Sequence, residues 1–362
     1  MLSSTEMIRG LRHAKRVSGL SVDDGLLDAY IQLIDALKLT LKQESALWKG
    51  LQTHLTQTGV FIRDQIKDRL NQTRIYVLPL PVIIAYSDLN AHGQPIIVIS
   101  NGMVEIIASH IFHAYVTNQL PEELQDFFLL DRRRDMGANE LVTNTLFVMQ
   151  SHYFRHGSAL PNFRALLDPG AIAQCSYAIN GALSFILLHE LGHHELGHIT
   201  SCSTIEDCGA QFIDEPTSEG KQHEREADQY AFDAIKPEAQ IVGTFWQHQA
   251  LSFFSSLELV AGQALSNDHP LSLNRNYASD LRRSEVENSQ VDESRYAATR
   301  SRFQASATFQ SGKANALLNT PNERCISLIH EIAPLYEQHG IQINKLLNTP
   351  PTPWLLVDGY AQ

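Results

Sequence analysis

Apolar residues recur every three or four positions along much of this chain, with one short interval where they crowd together. Between positions 23 and 71 they fall at Leu26, Leu27, Tyr30, Leu33, Ile34 and Leu37, then at Leu47, Leu51, Leu55, Phe61, Ile62, Ile66 and Leu70. A repeat near 3.6 residues lines one face of a helix, so two or three packed helices are predicted, opening at Ser21-Val22-Asp23-Asp24. At Arg74 the character changes. Residues 75–86 are β-branched and aromatic and include Pro79 and Pro81, which suits an edge strand or a bulge. Residues 88–94 are predicted as a turn at Gly93, residues 95–100 as a second short strand, and Asn101-Gly102 as the entry to a helical stretch.

Helical spacing returns from about 120 to 200, broken at residues 157–161 and at Pro169-Gly170. Residues 171–200 carry Ile179, Leu183, Ile186, Leu187 and Leu191 on the apolar face of one long helix. A polar loop over 202–220 follows, then helices over 222–235, stopped by Pro237, and over 239–265. Residues 283–312 are rich in Ser, Arg, Gln and Ala and read as exposed helix or linker; residues 323–347 regain the helical repeat. The predicted class is α+β, predominantly helical, with a small sheet beside the long helix. Three regions are expected: a helical one over 1–73, a central one over 74–282, and a linker with C-terminal helices over 283–362.

A hydrophobic fraction of 43% over 362 residues provides for a large core. The net charge of −12 argues against a nucleic-acid partner. Arg132-Arg133-Arg134 is flanked by Asp131 and Asp135 and reads as a solvated helix face. Arg9, Arg12, Lys15 and Arg16 have no apolar run behind them, so no secretory signal is expected. The longest apolar runs, 77–86 and 183–188, fall short of the roughly 18–20 residues of a membrane span. Cys175, Cys202, Cys208 and Cys325 lack metal-ligand spacing and suit free thiols in a reducing compartment. A cytoplasmic protein is expected, of unspecified oligomeric state.

The candidate chemistry is concentrated in His189-Glu190-Leu191-Gly192-His193-His194-Glu195-Leu196-Gly197-His198, the pattern His-Glu-x-x-His written twice. On a helix, residues four apart share a face, so His189 and His193 can offer two imidazoles to one zinc ion, with Glu190 as the adjoining general base. At about 100° per residue, His194 and His198 lie well round from that face. The bland alternative is a polar, exposed turn; the preceding Phe185-Ile186-Leu187-Leu188 argues for burial instead. A catalytic zinc needs a third ligand, and Glu224, 31 residues after His193, is the candidate. Asp228 shares its helix face and is placed to accept a hydrogen bond from the far nitrogen of a ligating histidine. His269 is a candidate oxyanion donor, or else a helix-start histidine before Pro270. His223 reads as structural, Tyr230 as core, and His152 and His156 as packing residues without a nearby acid.

His189-Glu190-Leu191-Gly192-His193 with Glu224-Arg225-Glu226-Ala227-Asp228 resembles the gluzincin peptidases, among them the HtpX and CAAX prenyl protease group, the ImmA/IrrE group and the Lit-type phage-exclusion peptidases. Residues 90–103, and Asp268-His269-Pro270 through Arg275, are similar to further HtpX segments. The resemblance implies a zincin-like metallopeptidase domain over 74–282, with Glu224 rather than Glu226 as third ligand. It departs from HtpX in lacking membrane spans. These relatives commonly carry a histidine five residues after the motif, where His198 stands, which makes the first copy the catalytic one. The expected activity is zinc-dependent hydrolysis of a cytosolic protein or peptide, with the strand at 96–100 aligning the substrate. The alternative is a regulatory metal-binding protein on a peptidase fold; an intact Glu190 argues against it.

Overall fold

The computed structural model describes residues 2–17, 24–40, 51–52, 55–78, 84–90, 92–118, 163–199, 218–261 and 272–287, with a few isolated positions besides. Among the described residues the α-helices are α1 (Ser4–Val17), α2 (Asp24–Leu37), α3 (Asp64–Gln72), α4 (Asn101–Asn118), α5 (Pro169–Glu195), α6 (Ser218–Asp233), α7 (Gln240–Ala261) and α8 (Ser272–Glu287). Three strands, β1 (Arg74–Leu78), β2 (Ala85–Leu89) and β3 (Pro95–Ser100), form one mixed sheet in the order β1-β3-β2. The fold is α+β and predominantly helical.

The apolar interval at 75–86 is two strands, not one. β1 ends at Leu78 and β2 begins at Ala85; Pro79 and Pro81, outside the described residues, fall between them, and proline cannot donate to a ladder. β3 pairs with β1 in parallel from Arg74↔Ile96 to Leu78↔Ser100, and with β2 antiparallel from Ala85↔Ile99 to Leu89↔Pro95. Both rows of its backbone groups are therefore occupied. This corrects the expectation that residues 96–100 align a substrate, since strand addition needs an unpaired edge. The edge strand that packs beside α5 is β2.

Both faces of the sheet are covered, which explains the near-continuous apolar runs of β1 and β3. Ile75, Val77, Ile97 and Ile99 join the main core with α4, α5 and α7; Tyr76, Leu78, Ile96 and Val98 pack with Leu2, Met7 and Leu11 at α1 and Ile31 and Ile34 of α2. α1 falls inside the region expected to be helical over 1–73, ahead of the interval in which individual helices are predicted. It opens with a capping box: Ser3 N–H donates to Glu6 Oε2 at 2.7 Å and Glu6 N–H to Ser3 Oγ at 3.3 Å.

The centre of the molecule is α5, 27 residues long. Pro169-Gly170, read from sequence as a break, is its start: Pro169 occupies the first turn, where its missing N–H costs nothing, and Asp168 caps it by accepting from Ala171 N–H at 2.9 Å. By length and composition α5 could cross a membrane, although no single apolar run suggested it. Its most apolar window is 78% buried inside the fold, as in a helix that serves as the core. The helix ends at Glu195 rather than near Thr200. Cys175, on α5, is buried with a free thiol; Cys202, Cys208, Cys325 and the Arg132–Arg134 triplet lie outside the described residues.

Candidate metal centre

The C-terminal turns of α5 carry His189, Glu190 and His193, and α6 packs across them. The approach is close because of Gly192: a Cβ there would stand 3.1 Å from Tyr230 Cβ and 3.2 Å from Ala227 Cα. Small residues at both positions let the two backbones meet, and four-residue spacing puts Glu224 and Asp228 on the face of α6 toward α5. The result is a convergence of buried polar groups: His189, Glu190, Glu224 and Asp228 are all buried.

His189 Nε2 lies 3.2 Å from His193 Nε2 and 3.1 Å from Glu224 Oε2, and His193 Nε2 lies 3.3 Å from Glu224 Oε1. One ligand atom from each of the three falls within 4.8 Å of the others, a group that could hold a metal ion. Two imidazole nitrogens and a carboxylate, brought together where His189 and Glu224 are buried and His193 partly so, favour a shared positive charge, and both donor types are ones that divalent transition metals accept. The titration of His189 expresses the same demand. Burial disfavours the charged ring, but Glu224 and Asp228 outweigh it and lift His189 to about 10.

Asp228 Oδ1 stands 2.9 Å from His189 Nδ1. From α8, Arg275 grips Asp228 with both arms of its guanidinium, Nε to Oδ2 at 2.8 Å and Nη2 to Oδ1 at 2.7 Å. Burial opposes ionisation of Asp228, yet Arg275 and then His189 hold its carboxyl well below the ordinary aspartate value. Arg275 Nη1 is also 3.9 Å from Glu224 Oε2. Sequence reasoning gave Arg275 no role. A buried carboxylate such as Asp228 requires a cation, and that requirement was the available signal.

The second His-Glu-x-x-His copy does not form a second helical pair. Gly197 adopts φ 73°, and the chain turns back through a Schellman motif, with His198 N–H donating to His193 O at 3.0 Å and Gly197 N–H to His194 O at 3.2 Å. His194 points the other way and donates from Nε2 to the Ile96 carbonyl at 2.9 Å, tying α5 to β3. His198 folds back so that its Nδ1 is 3.1 Å from His193 Nδ1, its Nε2 is 3.0 Å from Glu226 Oε2, and its ring stacks on His223 at 4.1 Å. Burial keeps His198 below the ordinary imidazole value against the opposing pull of Glu226. Tyr230 is partly buried against the main core. His269, His152 and His156 lie outside the described residues.

The chain matches the family model described as Peptidase U49 over residues 174–315, an interval that contains every residue of this cluster. The match supports a peptidase. No curated protein and no solved structure matches the chain.

Proposed function

We propose that the protein is a zinc-dependent endopeptidase of the gluzincin type, acting on a protein substrate in the cytosol. The observation that carries this reading is the meeting of His189, His193 and Glu224 around one point, within the interval matched by a peptidase family. These three residues would hold the ion. Bound there, zinc supplies Lewis-acid chemistry, polarising the scissile carbonyl and acidifying water.

The remaining work falls to side chains. Glu190, buried in the same turn as His189, takes the proton of the attacking water and returns it to the leaving amine. Asp228, fixed by Arg275, keeps the His189 proton on Nδ1 and so leaves Nε2 for the metal. His269, placed by sequence just ahead of α8, is assigned as the donor that stabilises the oxyanion. The net negative charge, with Arg132–Arg134 flanked by Asp131 and Asp135, fits a protein rather than a nucleic-acid partner.

Replacing Glu190 by Gln removes the base while keeping its shape. Cleavage should fall by about 10²–10⁴-fold with zinc content unchanged. The assay compares fragments generated in a cytosolic extract by the two proteins, with and without a chelator. Undiminished cleavage by Glu190→Gln would refute the assignment; absence of any chelator-sensitive fragment would favour a regulatory protein.

A further inference from the structure

Both histidines of the cluster turn Nε2 toward the shared point, so each needs its own proton on Nδ1 and an acceptor facing it. For His189 that acceptor is the Asp228 carboxylate. For His193 the facing atom is Nδ1 of another imidazole, His198, at 3.1 Å. A neutral imidazole accepts at one nitrogen and donates from the other, so His198 accepts from His193 only when its proton sits on Nε2. Glu226 Oε2 lies 3.0 Å from that nitrogen, and a carboxylate only accepts. The order of protons along the row is thereby fixed. Glu226 accepts from His198 Nε2, His198 Nδ1 accepts from His193 Nδ1, and His193 Nε2 keeps a bare lone pair.

We infer that His198, anchored by Glu226, is the positioning residue that sets the tautomer and ring orientation of His193, and thus its capacity to bind the metal. The inference rests on the metal-site reading above. Local structure is arranged to deliver this contact: the positive φ of Gly197 lifts His198 off the helix, and His223 stacks on its ring within 9° of parallel. Gln222 Nε2 donates to Glu226 Oε1 at 2.9 Å and holds the carboxylate in place. The two ligand histidines therefore have unlike supports. Asp228 is buried and buttressed by Arg275, whereas the row behind His193 ends at Glu226, whose side chain is 43% exposed.

Two substitutions separate tautomer control from packing. His198→Phe keeps a flat ring against His223 but removes the acceptor; His198→Asn loses the ring but carries an oxygen where Nδ1 stood. Zinc affinity is measured by chelator competition, with the visible spectrum of the cobalt-loaded protein as a second readout and melting of the metal-free forms as a check of folding. The unsubstituted protein should bind one ion. His198→Phe should weaken binding by about 10–100-fold and alter the cobalt spectrum, with His198→Asn remaining close to the unsubstituted protein. Glu226→Ala, which removes a half-exposed side chain, should weaken binding less and have no further effect in the His198→Asn background. Wild-type affinity in His198→Phe, or equal losses in Phe and Asn, would overturn the inference while leaving the metal site standing. Failure of the unsubstituted protein to bind any ion would instead remove the metal site, and this inference with it.

Discussion

Gly192 and Gly197 occupy the same place in the two copies of the pentapeptide and do opposite things. Gly192 stays helical and makes room for α6; Gly197 takes φ 73° and ends α5. That difference makes one copy a convergent histidine pair and the other a turn, and it is invisible in a repeat of identical letters. Nor could sequence show that His198, removed from the helix, returns to His193. The site does reveal its charge through titration. A base whose folded value is raised binds more protons folded than unfolded. Without metal, the His189 contribution to stability is therefore complete below about 6.5 and lost as pH rises through about 10. A metal held by the proposed ligand His189 would have to expel that proton. At pH 7 we expect release of about one proton per ion, and affinity rising about tenfold per pH unit toward 9. Calorimetry in buffers of different ionisation enthalpy measures this, and release of no proton would contradict it. Arg275→Met should destabilise the metal-free protein by about 3–5 kcal/mol, because it removes the guanidinium that grips the buried Asp228 carboxylate at both oxygens and leaves only His189 beside it. Urea denaturation would show this, and a loss below about 1 kcal/mol would mean that water or rearrangement replaces the guanidinium.

Among the elements, the strongest sequence signals were those whose side chains obey a single period. β3 coincides with the interval read as a strand, and the helices α6 and α7 begin or end within a few residues of their expected limits. α1 lies within the region expected to be helical over 1–73, but its limits were not placed, although Met7 and Leu11 one turn apart and the Ser3–Glu6 cap carried the signal. The edge or central status of a strand is a tertiary property, so the exchange of roles between β2 and β3 could not be read from spacing. Contact between α5 and α7 is likewise set by one residue. A Cβ on Gly181 would stand 2.1 Å from Trp246 Cδ1, and Trp246 is fully buried. Alanine gains about 1 kcal/mol in helix propensity over glycine, but overpacking costs about 1–3 kcal/mol. The clash should win: Gly181→Ala is expected to lower the denaturation midpoint, and a raised midpoint would show that the α5–α7 interface yields.

Among the described residues the protein is a helical assembly around α5, with a sheet covered on both faces and a His/His/Glu cluster that could hold a metal where α5 meets α6. The family match begins within α5 and takes in α6, α7 and α8, whereas α1 to α4 and the sheet lie before it. The convergence of His189, His193 and Glu224 was legible because helix periodicity and the spacing that a metal site requires coincide at four residues. The supporting residues were not, because Arg275 and His198 reach the site by tertiary folding and a turn. The most direct test of the account is diffraction from zinc-loaded crystals with anomalous data collected at the zinc edge. The account predicts one peak enclosed by His189, His193 and Glu224. A peak at His194, or at His198 and Glu226 with the first trio empty, would contradict it.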